Sequence, residues 1–180
     1  DMGKQVMSQS LQVIDDPHLI RGLRSTAFDG EGVAPEKFTP IENGVLTSWF
    51  LDSATARQLD LQTNGRAGRG TGGPPSPSPT NLYMAAGQRS VADILKDIGT
   101  GFYITDLIGM GVNGVTGDYS RGASGFWIEN GEIAFPVSEM TIAGNLRDMF
   151  MNMTAANDLD FRRGVNAPTL LIENMALAGL

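Results

Sequence analysis

The chain has 180 residues, 41% of them hydrophobic and 18% charged, with a formal net charge of −7, one histidine and no cysteine. That is enough apolar material for one domain with a real core, or for two small subdomains. No basic stripe is available to neutralise phosphates, which argues against nucleic acid as a partner. Without cysteine there is no disulfide framework and no thiolate metal site, so zinc would depend on His and carboxylates alone.

The first residues, "DMGKQVMSQSLQVIDDP", carry no initiator Met and enter an apolar alternation at once, from which a piece of a longer protein is expected. Val6 to Ile14 reads as a strand stopped by Asp15-Asp16-Pro17. The Gly-, Pro- and acid-rich stretch from Arg24 to Pro40 reads as irregular connection. In "IENGVLTSWF", Asn43-Gly44 predicts a two-residue hairpin turn, because a type I′ turn needs positive φ at both central positions. That register sets Glu42 opposite Val45, Ile41 opposite Leu46 and Phe38 opposite Trp49. Asp52 is then placed to cap a short helix, "SATARQL".

Gly65 to Pro79, "GRAGRGTGGPPSPSP", has too little apolar surface to offset chain entropy and predicts a flexible, solvated loop. A strand at Leu82 to Ala85 follows, then a helix from Ser90 to Ile98 with Ser90 and Asp93 as its capping box. "GFYITDLIGMGV" supplies a further strand. The second Asn-Gly, Asn130-Gly131, predicts a hairpin pairing Ile128 with Ile133, Phe126 with Phe135 and Trp127 with Ala134. The two Ile-Glu-Asn-Gly copies have unlike flanks, so they read as convergence on a good turn rather than as a duplication. Thr141 to Ala143 adds a strand, Asn145 caps a short helix running through Met153, and "PTLLIENMALAG" closes as a strand pair. The sum is an α+β chain, mostly antiparallel β, barrel- or sandwich-like, with a few short helices. No apolar run is long enough to cross a bilayer and no basic-then-apolar leader is present, which makes the cytoplasm the expected compartment and a membrane an unexpected partner.

Chemistry has few places to sit. His18 neighbours Asp15 and Asp16, but catalytic zinc wants ligands converging from separate elements, and no His-Glu-x-x-His pattern is present. A serine mechanism would need His18 as base, without a G-x-S-x-G elbow to receive it. The run Gly109 to Gly125, "GMGVNGVTGDYSRGASG", lacks the strand, helix and downstream acid of a dinucleotide loop. It reads as a tight connection whose polar equipment, Asp118, Tyr119, Ser120 and Arg121, forms a candidate peptide- or partner-contact loop. Asp118 and Arg121 pairing with each other to brace that loop is the alternative. No catalytic residue and no metal ligand is assigned in this chain.

The block "GVNGVTGDYSRGASGFWIENGEIAFPVSEMTIAGNLRDMF", with "MGKQVMSQSLQVIDDPHLIRGLRSTAFDGEGV", "PTNLYMAAG" and "NDLDF", closely resembles the C-terminal domain of the PmbA/TldE branch of the TldD/PmbA family. The resemblance covers nearly the whole chain, 1–180, and implies that an N-terminal domain and a central region lie outside it. It implies a heterodimer with a TldD-type subunit that carries zinc on a His-Glu-x-x-x-His helix plus a later cysteine, and unfolded peptides, among them antitoxins and peptide-antibiotic precursors, as substrates. In this chain the interval where that cysteine would fall is "FRRGVN", Phe161 to Asn166, without Cys or His. Two other readings stay open. One is a metallopeptidase in its own right, with upstream ligands and a substitute such as Asp160. The other is a non-proteolytic modulator of DNA gyrase. A homodimer of the isolated domain is also open.

Overall fold

A computed structural model describes residues 1–179. Its first elements are β1 (Val13–Asp15), β2 (Phe38–Glu42), β3 (Val45–Leu46), α1 (Ser53–Gln58), β4 (Ala67–Gly68), β5 (Ser76–Pro77) and β6 (Leu82–Met84). Then come α2 (Val91–Ile98), β7 (Gly101–Ile108), β8 (Asp118–Glu129), β9 (Glu132–Asn145) and α3 (Leu146–Met151). The chain closes with β10 (Met153–Ala155), β11 (Val165–Asn166), β12 (Leu170–Ile172) and β13 (Ala176–Ala178). These elements fall into two compact units: residues 1–5, 9–86 and 159–168 form the first, and residues 6–8, 87–158 and 169–180 the second. The α+β class with mostly antiparallel strands is as expected, and no sheet among the described residues closes into a barrel.

The first unit holds an open sheet in the order β11-β6-β1-β2-β3, in which only the β11–β6 pair is parallel. Its centre is polar. Asp15, fully buried at the end of β1, accepts from Arg66 Nε at 2.7 Å, from the Thr80 backbone N–H at 2.7 Å and from the Thr80 hydroxyl at 2.6 Å. Arg66 also donates from Nη1 to the carbonyls of Asn64 and Gly65 and from Nη2 to that of Glu36, and its guanidinium lies 4.7 Å from the Phe38 ring centroid. Burying two charges is tolerable because each is paired and its hydrogen-bonding capacity is used. The Gly65 to Pro79 segment is therefore not a uniformly solvated loop. Arg66 near its start and Thr80 just after its end are clamped to one carboxylate, β4 pairs with β5, Gly65 to Ala67 are buried, and residues 69–74 and 76–77 are exposed.

Several local readings need correction. Strand β1 is only three residues, with the stretch before it irregular. The first hairpin pairs Glu42 with Val45 and Ile41 with Leu46, with φ of +50° at Asn43 and +76° at Gly44. It ends there: Phe38 does not meet Trp49 but pairs in register with Asp15 and packs edge-to-face on Phe50 at 5.4 Å. The cation beside it draws that ring toward Arg66. Asp52 caps α1 as expected, in a reciprocal box with Thr55.

The second unit is built on the long β8–β9 hairpin, with β7 and β13 at the edges of the order β13-β9-β8-β7. Asn130 and Gly131 have φ of +52° and +79°, and Ile128 pairs with Ile133 as expected. Beyond that point a bulge at Ala134 shifts the register, so Trp127 faces Phe135 and Phe126 faces Pro136 instead. Thr141 to Ala143 is part of the 14-residue β9, not a separate strand. Asn145 caps α3 through the Arg147 N–H, but the helix stops at Met151 because Met153 is taken into β10. Ser90 caps α2, accepting from the Asp93 N–H at 3.1 Å and donating to the Asp93 carboxylate at 2.6 Å. The core gathers Ala123, Ile128, Met140 and Ile142 from the sheet, Ile94 from α2 and Met149 from α3.

Removing the cation of the first unit while keeping its acid, Arg66→Met, is expected to lower stability by about 3–5 kcal/mol in urea unfolding, since an uncompensated buried carboxylate remains. Substituting Asp15→Asn in addition is expected to recover part of the loss. Acid adds a second test. Burial pushes the Asp29 carboxyl up, but the N–H donors of Ala67, Val33 and Glu31 and the charge of Arg66 outweigh it and hold its pKa below the ordinary 3.8. A depressed folded value means that Asp29 contributes fully above the unfolded pKa and that this contribution is lost as pH falls through the folded one. Denaturation at a series of pH values is expected to show stability falling below about pH 4, with Asp29→Asn removing part of that slope.

Candidate functional site

The structure places Asp118, Tyr119, Ser120 and Arg121 on the first residues of β8, paired in register with Asn145, Gly144, Ala143 and Ile142. They are strand residues, and the connecting loop proper is 109–117. Asp118 and Arg121 do not pair with each other. Asp118 accepts from the Thr116 hydroxyl at 2.6 Å and lies 3.5 Å from Asn145 Nδ2, while Arg121 donates from Nη2 to the Leu107 carbonyl at 3.3 Å. The Nε of Arg121 is buried and has no hydrogen-bond partner among the described residues.

The loop is held from within. Asn113 Oδ1 accepts the N–H groups of Val115 and Thr116, Gly117 N–H donates to the Asn113 carbonyl, and Asn145 Nδ2 donates to the Thr116 carbonyl at 3.0 Å. Two bonds tie it to β8: Asn113 N–H to the Asp118 carbonyl at 2.8 Å, and Ser120 N–H to the Gly111 carbonyl at 2.7 Å. Gly111 is obligatory there, because a Cβ would collide with the Ser120 carbonyl oxygen. Of the residues named from the sequence, Asp118 and Ser120 help to hold the loop. Beside the exposed polar residues Asn113, Thr116, Asp118 and Ser120 stand exposed apolar side chains: Met110 is 94% exposed, Val115 89% and Ile108 67%, with Val112 also exposed. Sequence reasoning missed these residues; the available signal was apolar side chains inside a Gly-rich loop with no helix or strand period to bury them.

The other sequence candidates stay apart. His18 is exposed and donates its backbone N–H to Asp16, whereas Asp15 is buried against Arg66, so the three make no ligand set. Asp160 is exposed and held by Arg162 Nε at 2.6 Å. Among the described residues no three His, Cys, Asp or Glu side chains converge to hold a metal ion. The zinc chemistry that the resemblance implies therefore finds no fitting donor set here.

Fold and site together define an antiparallel α+β domain whose candidate site is the surface loop 109–117. The chain belongs to the PmbA/TldD family of metalloproteases: the family profile described as the PmbA/TldA metallopeptidase C-terminal domain matches residues 1–179. It is 46% identical over 180 residues to the metalloprotease PmbA of Escherichia coli O157:H7, covering 99% of this chain and 38% of that protein. A solved structure of a candidate DNA gyrase modulator from Thermotoga maritima superposes with a TM-score of 0.87 at 35% identity, over 98% of this chain and 41% of that one. TldE from Thermococcus kodakarensis gives a TM-score of 0.88 at 26% identity, over 99% and 42%. The chain thus spans about two-fifths of the length of these relatives. Among the described residues no helix is long and apolar enough to cross a membrane.

Gly111→Ala is expected to break the Ser120-to-Gly111 hydrogen bond and free the loop. Amide hydrogen exchange is expected to rise at Asn113, Gly117 and Ser120, with β10 and β12 unaffected.

Proposed function

We propose that this chain is the supporting domain of a PmbA/TldE-type subunit, without a catalytic centre of its own, that assembles with a zinc-carrying TldD-type subunit to process or degrade unfolded peptides in the cytoplasm. The observation that carries this reading is the condition of Phe161 to Asn166, the interval in which the resemblance puts the partner's late cysteine. Asn166 is buried there; its Oδ1 accepts the N–H groups of Arg162 and Arg163, at 3.0 and 2.9 Å, and its Nδ2 donates to the Arg163 carbonyl at 2.7 Å. An amide satisfied on both sides by its own loop is a structural brace and offers nothing to a metal. Similarity to PmbA and to TldE supports the placement in this branch.

The domain's contribution is geometric. The loop 109–117 offers apolar side chains to the partner. Strand edges can receive an extended peptide through main-chain hydrogen bonds. Zinc on the partner would supply polarisation of the scissile carbonyl and an activated water.

The test is to purify the full-length protein without a partner and measure its zinc by elemental mass spectrometry. The expected result is well below stoichiometric metal and no hydrolysis of an unfolded peptide, with hydrolysis appearing on addition of a TldD-type subunit. Stoichiometric zinc with hydrolysis by the lone protein would overturn the reading. Met110→Glu with Val115→Glu is expected to leave thermal melting unchanged and to weaken assembly with the partner at least about tenfold.

A further inference from the structure

Asparagine is followed by glycine at four places in the chain: Asn43-Gly44, Asn64-Gly65, Asn113-Gly114 and Asn130-Gly131. Each pair carries a latent reaction. The backbone nitrogen of the glycine can attack Cγ of the asparagine side chain, closing a succinimide as the side-chain amide leaves as ammonia, and glycine lacks the Cβ that would hinder the approach. The attack needs a nitrogen that can shed its proton and a peptide free to rotate onto the side chain. An N–H donated to a neighbouring oxygen from a buried turn meets neither condition.

Three of the four pairs are held in that way. Gly44 is buried and donates its N–H to the Leu11 carbonyl at 2.9 Å, and Gly131 is buried and donates to the Gly99 carbonyl at 2.9 Å. Gly65 is buried and donates to the Thr63 hydroxyl at 3.3 Å. The Asn64 side chain is itself fixed at both ends of its amide, accepting from the Leu51 N–H at 3.0 Å and donating to the Trp49 carbonyl at 2.8 Å. Asn113-Gly114 differs in each respect. Both residues are exposed, the Gly114 N–H has no hydrogen-bond partner among the described residues, and a Cβ placed on Gly114 would meet open space. Asn113 Oδ1 takes the N–H groups of Val115 and Thr116 at 2.9 and 3.2 Å. Those bonds close the side chain over the Gly114 peptide and set two donors on the oxygen that gains charge as Cγ is attacked.

We propose that Asn113 is a site of spontaneous deamidation that times the working life of the loop 109–117. The bond from Gly114 N to Cγ forms, the Cγ–Nδ2 bond breaks and ammonia leaves. Water then opens the succinimide at either carbonyl, giving aspartate or isoaspartate at position 113. Both products add a negative charge to the loop that exposes Met110 and Val115. Isoaspartate also reroutes the main chain through the side-chain carbon, so the carbonyl that accepts the Gly117 N–H at 2.8 Å leaves the backbone and the loop loses that closure. In the partner reading given above, on which this consequence rests, conversion retires an ageing subunit from assembly.

The test is to age the full-length protein, without partner, at mildly alkaline pH and to map its peptides by mass spectrometry, with a protein-isoaspartate methyltransferase to count isoaspartate. Amide loss at Asn113 is expected to run at least about tenfold faster than at Asn43, Asn64 or Asn130, and to slow at mildly acidic pH, where the attacking nitrogen keeps its proton. Gly114→Ala is expected to slow it about tenfold with thermal melting unchanged. Aged protein is expected to exchange its Gly117 amide faster and to bind a TldD-type subunit at least about tenfold more weakly, while Gly114→Ala protein aged in parallel keeps its affinity. Comparable rates at the four pairs, faster loss at another pair, or loss undiminished by Gly114→Ala overturns the site. Aged protein that binds the partner as well as fresh protein overturns the timing role. Stoichiometric zinc in the lone protein would sink the supporting-subunit reading and leave the mapped site standing.

Discussion

One carboxylate organises the first unit. Asp15 sits at the end of a three-residue strand and receives Arg66 and Thr80 from the two ends of a Gly- and Pro-rich segment. That segment could not fold by burying apolar surface, because it has almost none. A charge-paired anchor does what a hydrophobic patch would do elsewhere, and Phe38 completes it by lying under the guanidinium. The cost of such an anchor is sensitivity: a paired buried charge is tolerable, and an unpaired one is not.

The second unit rests on a different constraint, the length of the β8–β9 hairpin. A tight turn with positive φ at both central residues launches two strands of more than ten residues each. Strands of that length cannot be matched by the short partners on either side, so the sheet ends in β7 and β13 with edges partly open. The bulges at Ala134 and Thr105 re-aim side chains without breaking the ladder. The same architecture that supports the core also supplies the loop 109–117, which joins β7 to β8.

The candidate loop divides its labour between polar and apolar residues. Polar residues in a Gly-rich run look like the chemistry, yet Thr116, Asp118 and Asn145 form bonds with one another that hold the backbone. Among the residues facing solvent are Met110 and Val115, whose type alone suggests a core. The Nε of Arg121 is buried without a hydrogen-bond partner among the described residues.

What the sequence determined by itself was local and short-range: the two Asn-Gly turns, the caps at Asp52, Ser90 and Asn145, the antiparallel α+β class, and, through the block Gly111 to Phe150, the family. These depend on φ preferences and hydrogen bonds within a few residues, which composition and order encode directly. Tertiary structure alone decided the pairing of Asp15 with Arg66 across 51 positions, the register shift that parts Phe126 from Phe135, and the distant carbonyls, of Leu11 and Gly99, that take the N–H groups of Gly44 and Gly131. The physical reason is the same in each case. A long-range partner is chosen by which groups remain unsatisfied once the local structure has formed, and that remainder is a property of the whole fold.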